Sequence, residues 1–378
     1  MKYKLLDICE YAKGKIKVSA LDENTYISTE NMLPNKGGIT KAASLPTQEQ
    51  TQAFMKNDVL VSNIRPYFKK IWYATFDGGC SNDVLVFRAK DRVSSRFLHY
   101  VLADDTFFDY SMATSKGTKM PRGDKKAIME YEVPELSYED QCKIAGILEV
   151  IDEKIELNTD INKNLLEQAQ SIFTQEFLMF DRIPDGWQES SLLGIADYLN
   201  GLAMQKYRPK DDEQGLPVLK IKELRQGSCD FNSELCSPSI KPEYIVHDGD
   251  VIFSWSGSLL VDLWCGGTCG LNQHLFKVTS STYDKWFYYA WTNHHLQKFA
   301  AIAADMATTM GHIKREELSK AEVLIPSQSD YDRIGGLLAP LYDLVIANRI
   351  ENRKLASLRD ELLPQLMSGQ LDVSEVSL

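Results

Sequence analysis

The densest charged chemistry in the sequence lies between Lys116 and Lys126. There Lys116, Lys119, Arg122, Lys125 and Lys126 are spaced by Gly117, Thr118 and Gly123. Cations on a glycine-rich loop suit a polyanion. Lys and Arg neutralise phosphates, small residues let the backbone approach, and an Arg fork can read a guanine edge. A second basic turn precedes it, Ser62-Asn63-Ile64-Arg65-Pro66 followed by Lys69 and Lys70. Further along, Lys206, Arg208, Lys210, Lys220, Lys222 and Arg225 form one group, and His312, Lys314 and Arg315 another. A single exposed lysine is ordinarily only solvated surface, so the clusters carry the argument.

Catalytic constellations are missing. The sequence has no Asn/Asp-Pro-Pro-aromatic tetrad of the kind adenine methyltransferases use, no glycine-rich cofactor loop after a strand, and no phosphate-cradling Gly-Lys-Ser/Thr. Asp124-Lys125-Lys126 superficially resembles a nuclease Asp-x-Lys, but no acidic partner precedes it at a strand end, and it reads as a basic surface loop. Cys265 and Cys269 with His274 could ligate zinc. Their glycine-rich setting favours a turn with buried thiols, so no metal site is expected. His294 and His295, in an aromatic stretch, read as packing or surface. The seven scattered cysteines read as reduced thiols of a cytoplasmic protein.

The elements that must position these residues repeat. Ile144, Leu148, Ile151, Ile155, Asn158, Asn162, Leu165, Ala169 and Ile172 are spaced alternately four and three apart. The same spacing returns 190 residues later in Ile334, Leu338, Leu341, Val345, Asn348, Asn352, Leu355, Arg359 and Leu362. This is a heptad seam present twice. Antiparallel pairing at a constant sum of 510 sets Asn158 against Asn352 and Asn162 against Asn348, a polar layer that fixes register. Arg359 then faces Ile151, which its stem can cover while the head reaches solvent. The basic Arg349, Arg353, Lys354 and Arg359 would lie beside the acidic first helix.

The duplication extends beyond the seams. Asp58-Val59-Leu60-Val61-Ser62 matches Asp250-Val251-Ile252-Phe253-Ser254, and strands at Val84–Phe87 and Leu275–Val278 follow. Next comes an aromatic helix in each half, Phe97–Asp105 and Trp286–Ala303. Each half then has a polar loop (Met112-Ala113-Thr114, Met306-Ala307-Thr308) and closes with a strand ending at Pro134 or Pro326. Ser254-Trp255-Ser256-Gly257-Ser258 occupies the place of the Arg65 turn and is neutral, which makes Ser256 the candidate contact there.

The organisation is α+β with pseudo-two-fold internal duplication. Two similar mixed α/β modules, residues 1–134 and 181–327, alternate with two long helices, 135–180 and 328–378, paired as an antiparallel coiled coil. Ser137 and Ser329 are the expected N-caps and Gly369 the terminator, while Gly335, Gly336 and Pro340 should weaken the second helix's first turns. Hydrophobic content of 44% and charged content of 25% are globular values that give each module its own core. Of the net charge of −11, residues 135–180 carry −7 and residues 330–375 carry −3, so the modules are near neutral and free to present basic patches. No apolar run is long enough for a membrane span, and no signal peptide opens the chain.

These features resemble the specificity subunit of type I restriction-modification enzymes. The resemblance rests on Gln141-Cys142-Lys143-Ile144-Ala145-Gly146-Ile147-Leu148 with Ile151-Asp152-Glu153-Lys154-Ile155, on Leu355-Ala356-Ser357-Leu358-Arg359, and on Leu362-Leu363-Pro364-Gln365-Leu366-Met367-Ser368-Gly369. The turns Lys56-Asn57-Asp58-Val59-Leu60 and His247-Asp248-Gly249-Asp250-Val251 are similar to those of the family's target-recognition domains. The resemblance implies that each module reads one half of a bipartite, gapped double-stranded DNA target. It implies that the helices act as spacer and docking surface for two methyltransferase subunits. S-adenosylmethionine, ATP and Mg would belong to partner subunits, with restriction and translocase subunits able to join, and this chain would be non-catalytic and free of membrane. The DNA-binding candidates are thus Arg65, Lys69, Lys70, Lys116, Lys119, Arg122, Lys125, Lys206, Lys222, Arg225, Ser256, His312 and Lys314. A different reading, a coiled-coil scaffold joining two protein-binding modules without DNA, is separated from the first by salt-dependent duplex binding.

Overall fold

The heptad seams form two 40-residue helices, Tyr138–Phe177 (the central helix) and Gln328–Met367 (the C-terminal helix). The computed structural model describes residues 2–230, 232–305 and 313–373. The chain divides into two compact units, residues 1–153 with 355–378, and residues 154–354. Each long helix therefore contributes to both units, and the unit borders fall inside the helices rather than at their ends.

In the first unit a β-sheet runs in the order Cys9–Tyr11, Val84–Ala89, Val59–Ser62, Ile71–Tyr73, antiparallel throughout. In the second unit the order is Asp197–Asn200, Leu275–Thr279, Val251–Ser254, Leu260–Leu263, again antiparallel throughout. Val59–Ser62 and Val251–Ser254 are buried on every residue, apolar up to a closing serine, as sheets covered on both faces require. Each unit also pairs its opening and closing strands, Lys2–Lys4 with Glu132–Pro134 and Gln188–Ser191 with Glu322–Ile325.

A second sheet in each unit shares three strands and differs in the fourth. Gly78–Cys80 runs parallel to Tyr26–Ile27 and antiparallel to Gln50–Phe54; Cys269–Leu271 runs parallel to Leu216–Leu219 and antiparallel to Ile245–Val246. The fourth strand, Lys15–Lys17, joins Gln50–Phe54 in one unit, whereas Leu235–Cys236 joins Leu216–Leu219 in the other. The duplicated modules have thus grown at opposite edges.

The expected aromatic helix of the first module is Ser95–Ala103, followed at once by another, Asp105–Ala113, whereas that of the second module is two helices, Lys285–His294 and Leu296–Asp305. The break in the first module has a local cause. Asp104 is extended, and its carboxylate accepts from the amide of Thr106 at 2.7 Å, capping a new helix.

Both cores close on the long helices. In the first unit Phe87, Phe97 and Leu98 cluster with Ile144 and Leu148 of the central helix and Leu363 and Leu366 of the C-terminal helix. In the second, Phe253, Phe287 and Trp291 cluster with Phe173 and Phe177 of the central helix and Ile334 and Leu338 of the C-terminal helix.

Within the second unit the helices run antiparallel. Asn158 Nδ2 donates to Asn352 Oδ1 at 2.8 Å and to Glu351 at 2.7 Å, and Asn348 Nδ2 donates to Asn162 Oδ1 at 2.9 Å. Asn352 in turn donates to the Ile155 carbonyl at 3.1 Å, so this buried amide layer is satisfied from both sides.

Three expectations need correction. Arg359 does not send its head to solvent. It pairs with Asp152 at 2.8 Å, and the other Asp152 oxygen accepts from Tyr100 at 2.8 Å. Arg349 and Arg353 do not lie along the acidic central helix. They bind Asp262 at 2.7 Å and, through two nitrogens at 2.7 Å each, Asp248, both in the second module. The N-cap of the C-terminal helix is Ser327 rather than Ser329, its hydroxyl accepting from the Asp330 amide at 3.3 Å. Ser137 caps the central helix, accepting from Asp140 at 3.1 Å, and Gly369, at φ +73°, ends the C-terminal one.

Gly335, Gly336 and Pro340 sit inside an unbroken helix. A Cβ on Gly335 would lie 3.0 Å from the Trp286 indole nitrogen, so Gly335 is the seat of that ring; a Cβ on Gly336 meets nothing within 4 Å. Gly336→Ala is therefore expected to stabilise the protein by about 0.5–1 kcal/mol, the helix-propensity difference. Gly335→Ala is expected to gain nothing or to destabilise, because Trp286 must move. Denaturant midpoints of the two variants check this; equal gains would show that Trp286 does not need the glycine.

Candidate nucleic-acid interface

In the first module the structure joins the two basic segments that are far apart in sequence. The Arg65 amide donates to the Pro121 carbonyl at 2.8 Å and the Gly123 amide to the Asn63 carbonyl at 3.2 Å. Lys116 and Arg122 exchange backbone hydrogen bonds at 2.9 and 3.0 Å, closing residues 117–121 into a protruding loop. Gly123 is buried where this loop meets the turn, its Cα packed between Asn63, Ile128 and Ser111. Asp124 anchors the loop's far side. Its carboxylate binds Lys116 at 2.5 Å and accepts from the amides of Lys126 and Ala127 at 2.9 and 3.3 Å. The Lys116 ammonium first, and then these amides, hold the Asp124 carboxyl down to about 2. This anchor is fully formed above the ordinary carboxylate range and is lost only as pH falls through about 2.

The candidates differ in what they are free to do. Lys119 and Lys125 are exposed and have no ion pair among the described residues. Arg122 is half exposed and reaches Asp83 at 3.3 Å. Lys69 is engaged inside the fold, bound with Lys36 to Asp105 at 2.7 and 2.9 Å. Burial pushes the Asp105 carboxyl up, but the two lysines outweigh it and leave it below its ordinary value. Lys70 donates to the Thr29 carbonyl at 2.6 Å, and burial lowers its ammonium pKa. Lys69 and Lys70 thus shape the turn rather than present charge. Arg65 is partly buried, with its Nε lacking a hydrogen-bond partner.

Beside Arg122 lies a feature that reading the sequence missed, an open cleft of about 480 Å³ lined by Gln48, Ser81, Asn82 and Asp83 among others. Amide side chains of this kind can hydrogen-bond adenine. Only the fold brings residues 48 and 82 together, so no local spacing signalled them.

In the second module the Trp255–Ser258 turn plays the part of the Arg65 turn. The Ile313 amide donates to the Trp255 carbonyl at 2.9 Å, placing exposed Lys314 beside it. On its other side a Cβ at Gly257 would sit 3.8 Å from Ile221, which opens the short helix Ile221–Gln226 carrying Lys222 and Arg225. Lys222 pairs with Asp230 at 3.1 Å, and Arg225 is exposed without an ion pair among the described residues. Lys206 is exposed on the separate Met204–Lys206 turn.

Ser256 is corrected. It is buried, and its hydroxyl bonds His274 Nδ1 at 3.1 Å, so it supports His274, the exposed residue of the pair. Trp255 is held likewise by Asn200 at 3.0 Å. His312 and the Met306-Ala307-Thr308 segment lie outside the described residues.

The remaining chemistry resolves into structure. No group of three metal-binding side chains converges among the described residues. Cys265 bonds the Leu263 carbonyl and His274 is held by Ser256, so the considered zinc ligands face different partners. His295 is buried, with Nε2 2.8 Å from the Glu322 carbonyl oxygen, and His294 packs on Phe173. Among the described residues no helix is long and apolar enough to cross a membrane.

Gly123→Ala tests the union of loop and turn. The added methyl would lie 2.8 Å from both Asn63 Oδ1 and Ile128 Cδ1. Overpacking of this kind costs about 1–3 kcal/mol. The expected outcome is a lower denaturant midpoint with increased hydrogen exchange at the Lys116 and Arg122 amides; unchanged exchange there would mean that the loop does not depend on this seat.

Comparison with known proteins places this geometry. The family described as the type I restriction modification DNA specificity domain matches residues 1–167 and again 184–358. The chain is 26% identical over 310 residues to the type I restriction enzyme MjaIX specificity subunit of Methanocaldococcus jannaschii, covering 76% of this chain and 71% of that protein. It is 20% identical to the HindI specificity subunit of Haemophilus influenzae, covering 98% and 99% of the two chains. The crystal structure of a type I S subunit from M. genitalium shares the fold, with a TM-score of 0.56 over 97% of this chain and 96% of that one at 13% identity.

Proposed function

The chain belongs to the type I restriction-modification DNA specificity family, and from that premise we propose how its parts divide the work. Each module reads one half of a bipartite DNA target, and the paired helices dock two methyltransferase subunits, to which restriction and translocase subunits can add. The observation that carries this reading is the family match in both halves of the chain, each half holding a four-stranded antiparallel sheet of the same strand order beside exposed basic residues. Methyl transfer and cleavage belong to the partners, because this sequence offers none of the motifs that those reactions use. The complex acts on chromosomal and invading DNA in the cytoplasm.

The division of labour within the first module follows from its ion pairs. Lys119 and Arg122 reach outward and would meet phosphates, while Lys69 and Lys70 hold the turn in shape. The second module has a neutral turn where the first has Arg65. There exposed Lys314 stands beside Trp255, which packs on His274, and Arg225 is exposed on the short helix that opens at Ile221. Two modules with different reading chemistry fit two different half-sites.

Replacing residues 1–134 with the first module of another family member is expected to change one half-site and preserve the other, as read by adenine-methylome sequencing. A change in both half-sites, or a continuous target, would overturn the two-reader arrangement. Shortening both long helices by one heptad removes roughly 10 Å, or about three base pairs, and should shift the tolerated gap. Lys119→Ala with Arg122→Ala should weaken duplex binding by the assembled complex. It should also flatten the slope of log affinity against log salt by about 2, one counterion per lost phosphate contact. An unchanged slope would remove these two side chains from the phosphate contacts.

A further inference from the structure

Three large apolar side chains are exposed where the basic loop meets the Arg65 turn, Phe68 at 37% the least of them. Tyr67 is 49% exposed on the turn, and Met120 is 44% exposed on the loop beside Lys119. A monomer surface has little reason to display such residues amid cations, and here the backbone on either side of Tyr67 is strained. Arg65 and Lys69, on either side of Pro66-Tyr67-Phe68, both adopt left-handed backbone, at φ +50° and +49°. The supporting loop does the same at Asn35 and Lys36, φ +55° and +61°, whose amides donate to the carbonyls of Phe68 and Lys69 at 2.8 and 2.9 Å. Four non-glycine residues in a costly conformation around one turn mark a shape the fold maintains for use rather than for stability. The unpartnered Arg65 Nε and the buried, unpartnered Asn63 Oδ1 lie at the same junction.

Resting on the reading that this module binds DNA, we propose that Tyr67 and Met120 form an apolar reading element that packs against thymine methyl groups of the first half-site. The chemistry fits. The thymine methyl is the one apolar feature on the major-groove edge of a base pair. A thioether is polarisable and adapts to such a surface, and a tyrosine ring offers a rigid face. Lys119, next to Met120, and Arg122 supply the phosphate contacts that would bring these side chains to the groove. The preset turn means that little ordering is needed on binding. In this scheme Lys119 and Arg122 supply affinity for any duplex, and Tyr67 with Met120 supplies discrimination.

The test uses the assembled methyltransferase complex and the duplex identified as its methylated target. In a second duplex every thymine of the first half-site, on both strands, is replaced by uracil, which removes only the methyl. Wild type is expected to bind the uracil duplex about fourfold more weakly for each methyl in contact, the affinity equivalent of one buried methyl. Tyr67→Ala with Met120→Ala should bind the thymine duplex as weakly as the uracil duplex, with its salt slope and its affinity for unrelated DNA unchanged. Tyr67→Phe, which keeps the ring, should retain the discrimination. Equal wild-type affinity for the two duplexes, a double variant that still discriminates, or a half-site without thymine overturns the proposal. A wild-type complex without salt-dependent binding of the target overturns the DNA reading itself.

Discussion

A buried amide cannot slide without leaving a hydrogen bond unmade in a place that water does not reach. The layer of Asn158, Asn162, Asn348 and Asn352 imposes this constraint on two helices whose other seam positions, Arg359 apart, are aliphatic and would tolerate a shift of one turn. Leu for Leu or Ile for Val costs little, whereas an amide facing an isoleucine loses on both sides. Register in turn decides which side chains meet each module. With the layer in place, Ile334 and Leu338 reach the aromatic core of the second unit, and Leu363 and Leu366 reach that of the first. The reading surfaces stand on cores that these helices complete.

How much of this was legible depended on whether the signal was periodic. The Asn layer could be read because it occurs twice at the same seam positions and only one antiparallel offset satisfies both. The central strands, the closing strands and the order of modules and helices were legible for the same reason. Where a charged head turns was not. Arg349 and Arg353 lie on the same helix as Arg359, yet two bind the second module and the third binds the central helix; the spacing that places a stem on a face says nothing of what stands opposite. The N-cap moved from Ser329 to Ser327 because serines at both positions are competent caps and only backbone geometry selects one.

The candidate interface was half legible. Composition found the two basic segments of the first module, and the fold joined them through Arg65, Asn63, Pro121 and Gly123. Composition also over-counted. Lys69 and Lys70 have the same charge as Lys119 but are spent on Asp105 and on the Thr29 carbonyl. Ser256 was chosen by alignment to the Arg65 turn, and alignment is blind to burial. Tyr67 and Met120 went unread because an apolar residue in a sequence is taken for core until its exposure is seen.

The clamp of Arg349 on Asp262 and of Arg353 on Asp248 bears on module exchange. Exchanging the second module for another would leave the C-terminal helix in place. In this chain the retained helix holds two guanidinium groups that are part-buried only because the second module brings its aspartates. A donor module lacking carboxylates at those two positions would arrive with the right loops and still leave two part-buried guanidinium groups without their ion pairs, a loss of stability rather than of reading chemistry. The modules that this helix can accept are therefore narrowed at Arg349 and Arg353, away from the loops proposed to meet DNA.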